Sequence, residues 1–221
     1  MKLATLLLVS LLAASAARAA DPTPVDAGWL VSELRKGGYL VFFRHTSTFR
    51  DSATMELEAR NVASGRLMLA DCATQRNLNE RGVLEAGRQA AIVRELAIPY
   101  GVVYASKYCR ARDHVRWFTD RVTLNDALTP TRNAEKAKEL RQMLATPPAS
   151  GTNTFFFAHG GILWQATDFD SDEAETFVFR AGNPPVLVAS IKMSDWDALA
   201  QQRGPCCTPR TYYSGQGAPK E

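Results

Sequence analysis

The sequence is poor in histidine and cysteine, and it has no long apolar run beyond its first twenty residues. Its 221 residues include three His and four Cys. A membrane-spanning helix requires roughly 20 apolar residues, and no run after residue 20 reaches that length. No basic stretch is interleaved with aromatic residues, so nucleic-acid binding has no electrostatic support. With 46% hydrophobic and 22% charged residues and no repeats, the chain suits one domain with a full core.

Residues 1–19 have the pattern of a secretory signal peptide. Lys2 gives a positive start, residues 3–14 form a short apolar core, and Ala17-Arg18-Ala19 is an A-x-A cleavage site. An uncleaved N-terminal anchor is the alternative. Without Lys2 and Arg18, the formal charge of +3 becomes +1, from 24 basic and 23 acidic residues. We therefore expect a periplasmic or secreted protein, with its domain over residues 20–204 and a tail over 205–221.

Export favours disulfides between the cysteines, because an even number of Cys in an oxidising compartment is usually paired. The four allow three pairings, and the adjacent Cys206 and Cys207 rarely bond to each other because the geometry is strained. Zinc is the alternative, but there is no C-x-x-C motif. We predict a disulfide between Cys72 and Cys109, which would tie two loops together.

Two strongly apolar stretches end in histidine. Residues 39–43 and 154–158 are rich in bulky residues of high strand propensity, a pattern typical of strands buried on both faces of a parallel sheet. The first stretch is followed by Arg44 and His45, and the second by His159 and Gly160. Open α/β sheets place their ligand sites at the carboxyl ends of such strands. The sequence therefore predicts that the two histidines share one site.

Helical and extended patterns alternate along the remaining chain. A helix over 25–35 has Asp26 as its N-cap and stops at Gly37, and a second opens at 79–82 and ends before Pro99. The second is expected to bury Leu84, Ala91, Ile92, Val93 and Leu96. Further helices are predicted at 55–68, after Arg110 to about 119, and at 133–144, with strands at 101–106, 177–179 and 186–191. This alternation predicts a three-layer α/β/α sandwich with a mostly parallel central sheet, and the long polar connection over 46–77 is expected to be functional.

The residues at the strand ends suit phosphoryl transfer. A neutral imidazole attacks phosphorus directly, and histidine titrates near neutrality. The transferred group otherwise requires alignment and positive charge around its oxygens. Arginine supplies that charge, because its planar fork binds phosphate oxygens in pairs. We therefore expect Arg44, Arg110 and His159 to surround a phosphoryl group beside His45.

Three sequence pieces in this order resemble the histidine phosphatase superfamily, which has the phosphoglycerate mutase-like fold. They are Arg44-His45-Thr46, residues 106–111 and Ala158-His159-Gly160, and residues 76–82 also resemble a helix start of that superfamily. The resemblance covers about residues 38–190. It implies that His45 becomes phosphohistidine, and that Arg44, Arg110 and His159 bind the phosphoryl group. The chain is most similar to small exported members resembling lipopolysaccharide core heptose-phosphate phosphatase.

The general acid of that superfamily has no clear match. Thr46 stands where glycine is common, and Gly160 stands where acid-phosphatase and phytase branches have a carboxylate donor. The segment over 128–130 also lacks the glutamate of the mutase-like branch. We favour Glu175 as the acid, because it follows the His159 segment and precedes a strand. The alternatives are Asp113, Glu56 and Glu58.

These expectations describe an exported, metal-independent phosphomonoesterase without a cofactor, acting on a small phosphorylated substrate or a phosphorylated glycan. His45 and His159 are only 114 positions apart, which leaves no room for a large helical cap, so we expect an open site. The rival hypothesis is a catalytically inactive member of the same fold that binds phosphorylated glycans or a protein. A further enzyme alternative is a phosphohistidine-protein phosphatase, which export disfavours because the known partners of such enzymes in the superfamily are cytoplasmic.

Overall fold

A computed structural model describes residues 24–65, 69–130 and 133–207. Within them the helices are α1 (Ala27–Lys36), α2 (Ser52–Ala63), α3 (Glu80–Glu95), α4 (Cys109–Val115), α5 (Ala134–Ala145), α6 (Gly160–Thr167) and α7 (Trp196–Gln201). The strands are β1 (Val25–Asp26), β2 (Tyr39–Arg44), β3 (Tyr100–Ala105), β4 (Thr123–Leu124), β5 (Asn153–Ala158), β6 (Thr176–Arg180), β7 (Val186–Ile191) and β8 (Pro205–Cys207). The predicted signal peptide and residues 208–221 of the predicted tail lie outside the described residues.

The central sheet has six strands in the order β4-β3-β5-β2-β6-β7. The pairs β4/β3, β3/β5 and β5/β2 are parallel, whereas β6 is antiparallel to both β2 and β7. This arrangement confirms the mostly parallel sheet. The two histidine-terminated strands, β2 and β5, are direct neighbours at its centre.

Helices cover both faces of the sheet, as predicted. Because side chains alternate along a strand, Phe43 and Phe157 pack on one face with α1, α3, α4 and α7. Phe42 and Phe156 pack on the other face with α5 and α6. The strands β2 and β5 are therefore held by apolar contacts on both sides.

Asn153 joins three elements at the end of the sheet where β2 begins. Its side-chain Nδ2 donates to the carbonyl oxygens of Leu34 and Pro99, at 2.7 Å each. Its Oδ1 accepts the backbone N–H of Tyr39 at 3.0 Å. Residues then pair in register along β2 and β5, from Leu40 with Thr154 to Arg44 with Ala158. The two histidines that follow are thereby set at the same level.

Helix α3 starts where predicted, but it buries a different face. Asn79 is its N-cap, and its side chain accepts the N–H of Gly82 at 2.8 Å. Leu84 is 75% exposed, and Ala91 is exposed as well. The predicted burial of these two residues is wrong. The buried stripe instead follows helical spacing through Gly82, Glu85, Ala86, Gln89, Ala90 and Val93.

The stretch between β2 and α3, residues 45–79, contains α2 and a 3₁₀ helix at Cys72–Thr74. Neither helix buries a residue. The predicted disulfide between Cys72 and Cys109 is confirmed, and it bonds this stretch to the first residue of α4. We call residues 46–78 the β2–α3 connection.

Two sequence expectations at the other end of the chain are corrected. Cys206 and Cys207 form a disulfide with each other, although adjacent cysteines were not expected to bond. Cys72 and Cys109 are already paired, which leaves these two as each other's partner. The first residues of the predicted tail, Pro205–Cys207, form β8 antiparallel to β1. Among the residues that the structure describes, every helix is too short or too polar to span a bilayer.

Candidate active site

The structure brings His45 and His159 together. His45 follows β2, and its backbone N–H donates to the carbonyl of Ala158 on β5 at 2.9 Å. His159 follows β5 and precedes α6. The two ring centroids are 5.1 Å apart, and the residues are only 2% and 3% exposed. The prediction that two distant histidines share one site therefore holds in the structure.

One nitrogen of His45 is free for chemistry. Its Nδ1 lies 3.0 Å from the carbonyl oxygen of Thr46, which only accepts. Nδ1 must therefore carry the proton in the neutral ring, which leaves the lone pair on Nε2. Nε2 has no hydrogen-bond partner within the described residues. The backbone thus fixes the tautomer that a nucleophile requires.

His159 is held by one donor and one hydroxyl. Its Nδ1 accepts from Nε of Arg110 at 3.3 Å, because a guanidinium only donates. The proton of the neutral ring is then on Nε2, which donates to Oγ of Ser106 at 2.9 Å. The ring of Tyr108 packs against the imidazole with centroids 5.2 Å apart. Ser106 and Tyr108 thus orient the second histidine.

Arg110 is the centre of a polar cluster. It is 3% exposed, and its Nη1 donates to Oε2 of Glu58 at 2.9 Å and to the carbonyl of Arg76 at 3.1 Å. The guanidinium carbon also lies 4.7 Å from the ring centroid of Tyr108. These contacts fix the orientation of Arg110 beside His159.

Arg44 reaches the same region through a gap at Gly160. Its Nη1 donates to the carbonyl of Ser171, and its buried Nε has no partner within the described residues. A Cβ at Gly160 would lie 2.8 Å from this Nη1 and 2.7 Å from Oγ of Ser171. Only glycine therefore leaves room for the guanidinium. Gly160 is therefore required at this position by packing.

Both imidazoles are kept neutral. Burial lowers the pKa of His45 well below its ordinary value, and the charges of Arg110 and Arg44 lower that pKa further. The pKa of His159 is lowered in the same way, first by burial and then by Arg110. At pH 7 neither ring is protonated, and the neutral ring is the nucleophilic form.

The sequence reasoning missed Arg76 as part of the site. Its guanidinium lies 3.5 Å from Oε1 of Glu173, and its positive charge lowers the pKa values of both site histidines. Arg50 approaches the same Glu173 oxygen at 3.6 Å. The only signal in the sequence was that Arg76 is the first residue of the segment 76–82, which resembles a helix start of the superfamily.

Thr46, the residue after His45, bonds to the start of α3. Its hydroxyl donates to the carbonyl of Gly82 at 2.7 Å, and the residue is fully buried. A Cβ at Gly82 would lie 1.9 Å from the carbonyl oxygen of Ser47. The start of α3 therefore packs directly against the residues that follow His45, and Thr46 fastens the two together.

The four candidate acids lie in different surroundings. Glu175, the favoured one, is buried, and its carboxylate accepts from Oγ of Ser190 and from the N–H of Asp172 at 2.7 Å. Asp113 pairs with Arg116 at 3.1 Å, and Glu56 is exposed. Glu58 contacts Arg110. The assignment of Glu175 as the acid stays a prediction, whereas the structure places Glu58 beside a predicted phosphate ligand.

The reactive groups are more enclosed than the predicted open site. His45, His159 and Arg110 are each no more than 3% exposed. Glu58 of α2 closes over Arg110 from the β2–α3 connection. Substrate access to His45 therefore depends on the conformation of the β2–α3 connection.

Comparison with solved structures identifies the fold. A protein histidine phosphatase, SixA, solved with tungstate, matches with a TM-score of 0.50 at 11% sequence identity, over 71% of this chain and 98% of that one. A putative phosphohistidine phosphatase SixA from Agrobacterium tumefaciens gives 0.47 at 12% identity, over 70% and 97%. A phosphoserine phosphatase from Entamoeba histolytica gives 0.43 at 14%, over 69% and 95%. No protein-family model and no curated protein matches the sequence. The first match supports the phosphoglycerate mutase-like architecture.

Proposed function

We propose that this chain is a phosphomonoesterase that acts through a phosphohistidine on His45. The observation that carries this proposal is the fixed tautomer of His45: a neutral ring with its lone pair on Nε2, 5.1 Å from a second neutral imidazole. The arginines Arg44 and Arg110 supply charge for the phosphoryl oxygens. Such a set suits an anionic phosphorus centre better than a neutral carbonyl.

The reaction has two steps. Nε2 of His45 forms a bond to phosphorus as the bond from phosphorus to the ester oxygen breaks, and the alcohol leaves. Water then attacks phosphorus, the phosphorus–nitrogen bond breaks, and the electron pair returns to Nε2. Phosphate is released and His45 is restored. Arg44 and Arg110 bind the phosphoryl oxygens in both steps, while His159, whose ring nitrogens bond to Arg110 and Ser106, lines the pocket beside His45. The fold shared with a tungstate-bound histidine phosphatase is consistent with an oxyanion pocket at this place.

We further propose that the protein is exported and that its substrate is a small phosphate ester or a phosphorylated glycan, such as a phosphorylated heptose of lipopolysaccharide. The signal-like residues 1–19 and the Cys72–Cys109 disulfide support an oxidising compartment. Fractionation of a producing cell tests the location, and a cytoplasmic protein with free thiols would contradict it.

A panel of phosphomonoesters, assayed with and without a chelator, tests the activity. We expect turnover that the chelator leaves unchanged and a phosphohistidine trapped by rapid quenching. His45→Ala is expected to abolish both, while His114→Gln, a change at the histidine outside the site, retains them. Phosphate-ester binding without turnover in the wild-type chain would instead favour the inactive binding protein.

A further inference from the structure

We propose that Glu58 donates the proton to the leaving group, an inference that rests on the proposed function. The residue belongs to α2, and its side chain is 18% exposed where that of Arg110 is 3% exposed. It therefore stands at the boundary between the enclosed imidazoles and solvent. A leaving group has to lie at such a boundary, because the alcohol must depart while the phosphoryl group stays.

Arg110 links Glu58 to the imidazole pair. Its Oε2 is 2.9 Å from Nη1 of Arg110, and Nε of the same guanidinium is 3.3 Å from Nδ1 of His159. One guanidinium thus separates the carboxylate from the imidazole pair. A phosphoryl group bound by Arg110 would place its ester oxygen within reach of this carboxylate.

The hydrogen bonding of Glu58 leaves one oxygen available. Oε2 accepts from Arg110 and from the backbone N–H of Arg76, the latter at 2.6 Å. Oε1 has no hydrogen-bond partner within residues 24–65, 69–130 and 133–207. A carboxyl group anchored through one oxygen can present a proton on the other.

Charge explains how an ion-paired carboxylate takes up a proton. The guanidinium that neutralises Glu58 is also the one that a phosphoryl dianion requires. When the dianion binds Arg110, it competes for that charge and brings negative oxygens close to Glu58. In its protonated form the carboxyl group can donate a hydrogen bond to an ester oxygen, whereas a carboxylate only accepts.

The proton balance closes over the two steps. In the first, Glu58 transfers its proton to the ester oxygen as the phosphorus–oxygen bond breaks, which releases a neutral alcohol. The resulting carboxylate then takes a proton from water as the water oxygen attacks the phosphohistidine. Phosphate leaves, and Glu58 is protonated again for the next ester.

Neighbouring carboxylates are less suited to this role. Glu173 uses both oxygens on Thr48, with Oε1 accepting from Oγ1 at 2.8 Å and Oε2 from the N–H at 3.2 Å. It also lies near Arg50 and Arg76. Glu175 is held by Ser190 and Asp172. Glu173 therefore provides a matched control, as a carboxylate in the same arginine cluster with a different set of bonds.

The test compares leaving groups, since a proton donor matters most where the leaving oxygen is basic. The release of alcohol in the first turnover is measured by rapid quenching with p-nitrophenyl phosphate and with glycerol 2-phosphate. For Glu58→Gln we expect a loss of about 10²- to 10⁴-fold with glycerol 2-phosphate and less than about 10-fold with p-nitrophenyl phosphate. Glu58→Asp is expected to restore part of the loss. Glu173→Gln should slow both esters by the same factor.

Two results would overturn the inference. Equal losses of Glu58→Gln on both esters would reduce Glu58 to a structural partner of Arg110. A lower KM on both esters at unchanged kcat would mean that Glu58 merely competes with phosphate. Phosphohistidine formed from p-nitrophenyl phosphate distinguishes the two proposals. If the wild type forms none, the proposed function fails as well. If the wild type and Glu58→Gln both form phosphohistidine, and the variant slows the two esters equally, only the proposed role of Glu58 fails.

Discussion

The central strands and the β2–α3 connection are held in place by different forces. Strands β2 and β5 lie between two apolar layers, with Phe42, Phe43, Phe156 and Phe157 fully buried. Helix α2 buries no residue, and the β2–α3 connection that contains it is held by a disulfide, three ion pairs and hydrogen bonds. The proposed nucleophile, His45, thus follows a strand packed on both faces, whereas the proposed proton donor lies on a helix with few apolar contacts. Elements of the second kind open at low free-energy cost, which suits a segment that must admit substrate.

The largest effect on stability should come from a substitution in the central strands β2 and β5. Phe157 stacks on Phe43 at 4.7 Å and also contacts His114 and Phe118 at 4.9 Å. We expect Phe157→Ala to lower the free energy of unfolding by about 3 to 5 kcal/mol, because it leaves a cavity in a dense core. Leu57→Ala in α2 should change it by less than about 0.5 kcal/mol. Urea unfolding measures both, and comparable losses would erase the contrast between the two regions.

The disulfide should have the next largest effect. Cys72 and Cys109 are 37 positions apart, and Cys109 directly precedes Arg110. We expect Cys72→Ser with Cys109→Ser to lower the free energy of unfolding by about 2 to 4 kcal/mol and to raise KM more than it lowers kcat, because Glu58 and Arg110 lose their common anchor. Cys206→Ser with Cys207→Ser is the control and should keep KM. A KM that is insensitive to loss of the first pair would show that polar contacts alone position the connection.

A buried histidine outside the site offers a stabilising change. His114 is fully buried among Phe43, Phe118 and Phe157, and neither ring nitrogen has a hydrogen-bond partner within the described residues. Removing an unpaired buried polar group usually gains stability. We therefore expect His114→Leu to raise the free energy of unfolding by about 1 to 3 kcal/mol at pH 7. Thermal unfolding tests this, and a loss would point to a packing role for the imidazole.

The pH dependence of stability provides a second test of His114→Leu. Burial lowers the pKa of His114 to about 3, so the folded chain keeps this ring neutral while the unfolded chain protonates it below about pH 6.5. The unfolded state then binds more protons, and stability falls as the pH decreases from about 6.5 toward 3. His114→Leu should remove that part of the acid dependence, up to about 1.4 kcal/mol per pH unit. His45 and His159 contribute in the same direction and remain. Parallel curves for variant and wild type would contradict the assigned shift.

A smaller effect on stability is expected at Asn79, where the β2–α3 connection meets α3. Asn79 caps α3, and its Nδ2 donates to the carbonyl of Thr48 at 2.8 Å. Asn79→Ala should cost about 1 kcal/mol. Asn79→Asp keeps the cap acceptor and loses only the bond to Thr48, so it should cost less. Equal costs for the two variants would assign the effect to the Thr48 bond rather than to the cap.

The central strands β2 and β5 were predictable because they are apolar on both faces, and the two histidines were predictable because each one directly follows such a strand. The edge strand β4, whose two residues are exposed, was missed. The buried face of α3 was not predictable either. That face includes Glu85, which accepts the N–H of Ser47 at 3.0 Å, and Gln89, which donates to the carbonyl of Ala174 at 2.8 Å. Polar residues buried by long-range hydrogen bonds conceal a helical stripe from any hydrophobic pattern.

The role of Glu58 was equally hard to single out in advance. Its contact with Arg110 spans 52 positions, and nothing in the composition of α2 distinguishes this carboxylate from the exposed Glu56. Only folding of the connection over α4 does so. Local sequence patterns therefore identified the histidines that follow the central strands. Tertiary contacts were needed to single out Glu58 in the β2–α3 connection.

The amide of Asn153 lies at the opposite end of β5 from His159, roughly 20 Å away at about 3.3 Å per residue. By hydrogen bonding to the first residue of β2, it aligns the starts of β2 and β5. This alignment determines the level at which each strand ends in its histidine. A slip of one residue would turn His45 to the other side of the sheet. The alignment of the two rings is thus decided at the base of the sheet, by an amide that touches neither of them.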